Sequence, residues 1–143
     1  MIYKNLPSYF NPKFEVVSCY LENDGDILLL RRQDHKPEGN SWGLPAGKMD
    51  DGEDKVSAMV REIFEETGLL IDVKDLEYVD KIYVQYPEYH FIYHSFRLVL
   101  KSRPLIKISP NEHKEYVWLS PQAALELELI RDLDACIKDF YGV

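Results

Sequence analysis

The sequence predicts an α+β fold in which a mixed β-sheet lies between helices. Three observations lead to this prediction. Runs of β-branched and aromatic residues, typical of strands, occur on both sides of one amphipathic helical segment. A second helical region follows the last of these runs. Strands, a helix, more strands and a final helix form the order expected when helices cover a sheet.

The first part of the chain predicts a β-hairpin followed by a loop. In FEVVSCYLENDGDILLLRRQ, two strand-like runs are joined by the residues 23–26, which are a hairpin turn signal. The polar stretch 33–41 contains Pro and Gly and is predicted to be a loop. Residues 42–46 form a short apolar segment that leads to the next motif.

The amphipathic helix follows a turn at residues 50–52. Asp51 or Glu53 is its predicted N-cap, and it is expected to run to about Thr67, with Gly68 at the position just past its end. Apolar residues recur on one face at the spacing of a buried helical stripe, and these are Val56, Met59, Val60, Ile63 and Phe64.

The second half of the chain predicts three more strands and two helical segments. The strands are expected at 72–86, 88–101 and 117–119, and the first two of them are expected to pair around Pro87. Ser120 and Pro121 are the predicted N-cap and first residue of a helix, and a second helical segment is expected at roughly 129–140.

Composition indicates one globular domain over residues 1–143, with 45% hydrophobic and 29% charged residues. The net charge of −8 disfavours a nucleic-acid partner and suits either cation binding or a soluble acidic surface. Cys19 and Cys136 lack metal-type spacing and fit a reducing compartment. The N-terminus has no apolar run, and the aliphatic run 27–30 is too short to span a membrane, so we expect a cytoplasmic protein.

Three glutamates crowd the helix end at which negative charge is least favourable. Glu62, Glu65 and Glu66 fall within about 100° of one another, nearly opposite the apolar stripe. The helix dipole disfavours an anion in the last turn by a few tenths to about 1 kcal/mol, and a like-charged pair four residues apart adds roughly 0.2–0.5 kcal/mol. Helix geometry leaves two interpretations open, a solvated acidic face and a site for Mg²⁺ or Mn²⁺.

The full segment 47–69, GKMDDGEDKVSAMVREIFEETGL, resembles the Nudix box. That box reads G-x5-E-x7-R-E-U-x-E-E-x-G-U, with U a bulky aliphatic residue, and every fixed position is matched. LLLRR and WGLP before the box, and EYVWLSP ahead of a C-terminal helix, are also similar to the family. The resemblance implies a Nudix-type α/β/α sandwich with a mixed sheet between helices.

The resemblance also implies an activity, the hydrolysis of a nucleoside diphosphate linked to another group. In the family, water attacks a phosphorus of the diphosphate bridge with the help of Mg²⁺ or Mn²⁺. Glu62, Glu65 and Glu66 match the carboxylates that ligate metal, and the carbonyl of Gly47 is a further implied ligand. Glu62 also matches the residue that acts as general base in some members.

Supporting roles follow from the same correspondence. Arg61 matches the arginine that orients Glu62 through a salt bridge, and Glu53 matches the first box glutamate, which supports the loop or helps to bind metal. Many family members place a further catalytic or metal-binding glutamate before a late strand. In the loop NEHKE, Glu112 is the candidate for that role, with Glu115 as its competitor.

Candidate substrate contacts lie outside the box. Arg31, Arg32 and Lys48 are candidates for binding phosphates, although Arg31 and Arg32 are neighbours on a strand, so at most one of them should face the site. Four strand tyrosines are candidates for stacking on a nucleobase, and they are equally typical of sheet packing: Tyr83, Tyr86, Tyr89 and Tyr93. Tyr86 stands 17 residues after the box, where some dinucleoside-polyphosphate hydrolases of the family carry a tyrosine.

Within the family, the expected substrate is a nucleoside or deoxynucleoside triphosphate. Dinucleoside polyphosphates, ADP-ribose and nucleotide sugars are the alternatives. A catalytically silent nucleotide-binding or regulatory module is an alternative of another class, and it would be expected to have lost box carboxylates. An RNA-decapping enzyme is disfavoured by the charge of −8. The assembly is expected to be a monomer or a homodimer.

Overall fold

The structure is a computed structural model that describes residues 1–143. Eight strands form one mixed sheet, and three helices pack on its faces. In chain order the elements are β1 (Ile2–Tyr3), β2 (Pro12–Asn23), β3 (Asp26–Arg32), β4 (Trp42–Gly43), β5 (Ala46–Lys48), α1 (Lys55–Thr67), β6 (Glu77–Gln85), β7 (His90–Val99), β8 (His113–Leu119), α2 (Pro121–Ala124) and α3 (Leu133–Tyr141). None of the three helices is long and apolar enough to cross a membrane.

The long strand β2 organises the sheet. One of its edges pairs in parallel with β7 from Pro12 to Glu22, and β6 and β1 continue the sheet on that side in antiparallel fashion. Its other edge pairs with β5 over Val16–Ser18 and with β3 only at its last residues. β3 then diverges and pairs with β8 and β4. One parallel pair among antiparallel ones makes the sheet mixed, as the sequence predicts.

The two faces of the sheet bury two separate cores. Side chains alternate along a strand, so Leu28 and Leu30 of β3 face one core while Ile27 and Leu29 face the other. Met59 of α1 packs in the first of these cores, and α2 and α3 cover the second. Helices therefore cover both faces, and the expected α/β/α arrangement is confirmed.

Helix α1 ends where the sequence predicts, but its N-cap is a different residue from those predicted. Gly68 adopts the left-handed conformation (φ 79°), which a residue without a Cβ adopts readily, and its N–H donates to the Phe64 carbonyl. The N-cap is Asp54, whose carboxylate accepts a hydrogen bond of 2.8 Å from the Ser57 N–H. The prediction of Asp51 or Glu53 was wrong, because the Glu53 carboxylate is bonded to Arg61 instead.

Further boundaries differ from expectation, and one of them is the start of β8, which lies at His113 instead of 117. The last helix begins at Leu133 instead of about 129, because residues 128–130 run alongside Trp42: the Trp42 N–H donates to the Glu128 carbonyl (2.8 Å), and the Ile130 N–H donates to the Trp42 carbonyl (2.9 Å). β6 begins at Glu77 because residues 73–75 form a short 3-10 helix. The side chain of Phe64, assigned to the apolar stripe, is half exposed.

Candidate active site

Helix α1 packs its second half against strand β5, and this contact buries two of the box glutamates. Glu62 is 8% exposed and Glu66 is 5% exposed, although helix periodicity places them opposite the apolar stripe. One carboxylate oxygen of Glu66 accepts a hydrogen bond of 2.9 Å from the Ala46 N–H. A Cβ on Gly47 would overlap the carboxylate of Glu62. The missing side chain at Gly47 therefore allows the carboxylate to lie against the backbone of β5.

Arg61 links the helix to the loop before it. Its guanidinium forms a two-point contact with Glu53, with both N–O distances 2.9 Å, and contacts Glu62 at 2.8 Å. It also donates to the Lys48 carbonyl at 3.1 Å and lies 3.3 Å from the exposed carboxylate of Glu65. Such bidentate, charge-assisted contacts fix both position and orientation. The predicted Arg61–Glu62 salt bridge is present.

Two further groups reach the box glutamates from the start of β8. Ligand atoms of Glu66, Glu112 and His113 all lie within 4.8 Å of one another. Of the two glutamates that compete in the loop NEHKE, Glu112 is therefore the one at the cluster. Glu115 instead pairs with Arg31 at 3.2 Å. Sequence reasoning missed His113, because the only possible ligand spacing among the four histidines is that of His90 and His94.

The electrostatics of the cluster reflect burial and like charge. Burial raises the pKa of Glu66 well above its usual value, opposed by the hydrogen bond from Ala46 and reinforced by Glu62 and Glu112. Burial also raises the pKa of Glu62 to about 7, while the Arg61 guanidinium acts in the opposite direction. By contrast, the hydrogen bonds from Arg61 lower the pKa of Glu53 to about 2.

The residues at this point fit a divalent cation. Glu66 and Glu112, with Glu62 nearby, gather several oxygen donors, and burial, reinforced by the neighbouring carboxylates, raises the pKa values of Glu62 and Glu66. The Arg61 guanidinium, which contacts Glu62, is already engaged by Glu53 and the Lys48 carbonyl as well. A bound divalent cation would supply the missing positive charge.

A cavity of about 770 Å³ opens from the cluster and runs along the sheet. Among the candidate residues from the sequence, it is lined by Arg32, Gly47, Lys48, Glu62, Glu66, Tyr86, Tyr89, Tyr93 and Glu112. Arg31 and Tyr83 are not among its lining residues, and neither is Glu65, whose metal-ligand role stays a prediction. Arg31 and Arg32 face opposite ways, as strand alternation requires. Arg61 and Glu53 are not among the lining residues either, and Arg61 contacts the lining residue Glu62 through a 2.8 Å hydrogen bond.

Another part of the cavity lining combines aromatic and charged groups. The Tyr86 hydroxyl donates a 2.8 Å hydrogen bond to Asp132, and the Arg131 guanidinium lies 3.8 Å from the centre of the Tyr86 ring. Phe91 packs edge-on against Tyr86. No local sequence signal marks Arg131 and Asp132, because they reach the site only through the packing of the segment that precedes α3.

The chain is similar in sequence and in structure to a group of known proteins. The NUDIX domain family matches residues 12–140. The CTP pyrophosphohydrolase of Escherichia coli (strain K12) is 31% identical over 115 residues, which are 80% of this chain and 82% of that protein. The crystal structure of a MutT protein from Methanosarcina mazei Go1 superposes with a TM-score of 0.76 at 25% identity, covering 94% of this chain and 96% of that one.

A shorter match broadens the range of related activities. The ADP-ribose pyrophosphatase of Methanocaldococcus jannaschii is 41% identical over 68 residues, which are 48% of this chain and only 39% of that protein. The similarity to that enzyme is therefore confined to part of its length, whereas the similarity to the CTP pyrophosphohydrolase extends over most of both chains.

Proposed function

Because this chain belongs to the Nudix hydrolase family and is a pyrophosphohydrolase, we propose that its substrate is a nucleoside or deoxynucleoside triphosphate. Hydrolysis would consume one water and release a nucleoside monophosphate and pyrophosphate. The observation that carries the proposal is the carboxylate cluster that lines the cavity, in which Glu62 and Glu66 are buried and Glu112 is partly buried. A catalytically silent module would have no reason to keep this arrangement, since burying like charges is unfavourable.

We assign the metal-binding role to Glu66 and Glu112, with Glu62, Glu65 and the Gly47 carbonyl as further candidate ligands. When bound, Mg²⁺ or Mn²⁺ would neutralise and polarise the phosphoryl oxygens and make water a better nucleophile. The acidic cluster suits a hard divalent cation because its donors are mainly oxygens.

Glu62 is the group we propose to accept a proton from the attacking water. Without a bound cation, burial raises the pKa of this carboxyl to about 7, close to the neutral pH at which a general base is effective. Arg61 holds its carboxylate at 2.8 Å and is in turn fixed by Glu53. Arg61 and Glu53 are therefore positioning residues, and their loss would act through the placement of Glu62.

The remaining lining residues suit a nucleotide. Arg32 and Lys48 lie along the cavity with the carboxylates and are the candidates for binding phosphate oxygens. Tyr86 also lines the cavity, with the Arg131 guanidinium over one face of its ring, and its opposite face is our candidate for stacking on the base. The volume of about 770 Å³ is within the range of small-ligand sites. Cytidine nucleotides come first among the candidates because of the similarity to the CTP pyrophosphohydrolase.

Product analysis by ³¹P NMR across a nucleotide panel tests the proposal. The panel contains the common nucleoside and deoxynucleoside triphosphates, ADP-ribose, a nucleotide sugar and a dinucleoside tetraphosphate, each with Mg²⁺ and with EDTA. We expect Mg²⁺-dependent release of pyrophosphate from triphosphates, fastest for a cytidine nucleotide. Preferential cleavage of ADP-ribose or another linked diphosphate would replace the proposed substrate class. The absence of turnover on every compound would favour a binding module.

A further inference from the structure

His113 is a buried histidine whose Nδ1 has no hydrogen-bond partner. The residue is 4% exposed, lines the cavity, and has a ring nitrogen within 4.8 Å of carboxylate oxygens of Glu66 and Glu112. Buried polar atoms in folded proteins are nearly always hydrogen-bonded, so an unpartnered ring nitrogen needs an explanation. The other buried histidine, His94, has one: both its ring nitrogens are bonded, to Tyr78 and Glu15.

The backbone holds His113 firmly in this position. The Gln33 N–H donates to the Glu112 carbonyl at 2.9 Å, and the Gln33 side-chain amide donates to the Pro110 carbonyl at 2.8 Å. The His113 N–H donates to the Ser109 carbonyl at 2.9 Å. These bonds fix the loop on which Glu112 and His113 lie, so the histidine is placed beside the carboxylates before any ligand arrives.

A bulge in the strand pairing accompanies the placement of the imidazole at the cavity. Arg31 of β3 pairs with Glu115, but the next residue, Arg32, pairs with His113, so that Lys114 has no partner in the register. Such bulges redirect side chains next to functional sites. Here Arg32 and His113 line the cavity, whereas Arg31 and Glu115 form a salt bridge and are not among its lining residues.

We propose that His113 donates a ring nitrogen to the divalent cation held by Glu66 and Glu112, and so makes this site favour Mn²⁺ or Co²⁺ over Mg²⁺. Imidazole nitrogen is a good ligand for transition-metal ions, whereas Mg²⁺ prefers oxygen donors. The inference rests on the proposed function in that it concerns the cation of the same site. It adds a ligand from outside the box and a metal preference.

Pulsed electron paramagnetic resonance of the protein with Mn²⁺ alone tests the inference without measuring turnover. Direct ligation by imidazole gives a ¹⁴N hyperfine coupling. Protein labelled with ¹⁵N only at histidine should replace that coupling by a ¹⁵N signal, with no substitution made. His113→Gln should then abolish it, and His35→Gln, which changes an exposed loop histidine outside the cavity, should retain it.

Titration calorimetry supplies the second readout. We expect His113→Gln to weaken Mn²⁺ binding by about tenfold and Mg²⁺ binding by less than about threefold. A wild-type Mn²⁺ complex without nitrogen coupling would overturn the inference, as would a coupling that persists in folded His113→Gln or an equal loss for both ions. Turnover of nucleotides without histidine coupling would refute this inference alone, and coupling without turnover would refute the proposed function alone.

Discussion

Replacement of Gly47 by Ala tests the close approach between β5 and the Glu62 carboxylate. The added Cβ would overlap the carboxylate, and relief of the overlap requires about 1 Å of movement. The carboxylate is at the flexible end of a side chain but is buried and held by Arg61 at 2.8 Å. We therefore expect a loss of about 1 kcal/mol in the free energy of unfolding, at the low end for overpacking.

The effect of Gly47→Ala on activity should exceed its effect on stability. A displacement of about 1 Å at a reacting group can lower the rate by about 100-fold. We expect a loss of that size in kcat/KM, measured by coupled pyrophosphate release in saturating Mg²⁺. Gly52→Ala is the matched control in the same segment: its positive φ (78°) makes alanine unfavourable, but a Cβ there meets no atom. Folded Gly52→Ala should keep its activity.

A double-mutant cycle assigns the effect to Glu62. In a Glu62→Ala background the carboxylate is absent, so Gly47→Ala should no longer destabilise the protein, giving a coupling of about 1 kcal/mol by urea unfolding. Equal destabilisation by Gly47→Ala in both backgrounds would refute the proposed overlap with Glu62, as would a single variant that retains wild-type kcat/KM.

Three further predictions concern Arg61, Glu62 and Tyr86. Arg61→Lys keeps the positive charge but removes the two-point contact with Glu53, so we expect kcat to fall by at least about tenfold. The guanidinium hydrogen bond that lowers the pKa of Glu62 is also lost, so the acidic limb of the kcat/KM profile should move to higher pH, and an unmoved limb would contradict this. In the folded protein the pKa of Glu62 is about 7, which is above its ordinary value of 4.5. In EDTA, the protonated carboxyl therefore stabilises the fold below pH 4.5, and this stabilisation is lost as the pH rises through 7. Glu62→Gln should therefore gain up to about 3 kcal/mol relative to wild type between pH 5 and 8 by urea unfolding, and a constant difference would show that the shift is absent. Tyr86→Ala should raise KM by about tenfold because stacking on the base is lost, whereas Tyr86→Phe should keep a KM close to that of the wild type. Equal effects of the two variants on KM would show that Tyr86 does not bind the base.

The box could be interpreted from sequence because its chemistry is local. Glu62 and Glu66 lie on one helix, and their spacing both matches the family and breaks the rules for a solvated face. Periodicity could not reveal that these carboxylates are buried, because strand β5 covers them through a contact between separate elements. The N-cap was misplaced for a similar reason, since the Glu53 carboxylate is occupied by Arg61.

The rest of the site depends on contacts between distant segments. Glu112 was predicted through the family resemblance, but His113 beside it had no spacing signal. The aromatic end of the cavity joins Tyr86 to Asp132, which are 46 residues apart. The pairing of β2 with β7 that builds the cavity wall is likewise long-range.

One domain over residues 1–143 and a monomeric or homodimeric state stay predictions, which light scattering and limited proteolysis would test.

The most direct test of the central claim is Mg²⁺-dependent hydrolysis by Glu66→Gln beside a matched Glu126→Gln variant. Both changes replace one carboxyl group by an amide of similar shape, but Glu66 is a buried member of the cluster, and Glu126 is exposed outside the cavity. If the cluster holds the catalytic cation, Glu66→Gln should fold normally, bind Mn²⁺ more weakly and lose at least about 100-fold in kcat, while Glu126→Gln retains wild-type values. Wild-type kcat and Mn²⁺ affinity in folded Glu66→Gln would contradict the account.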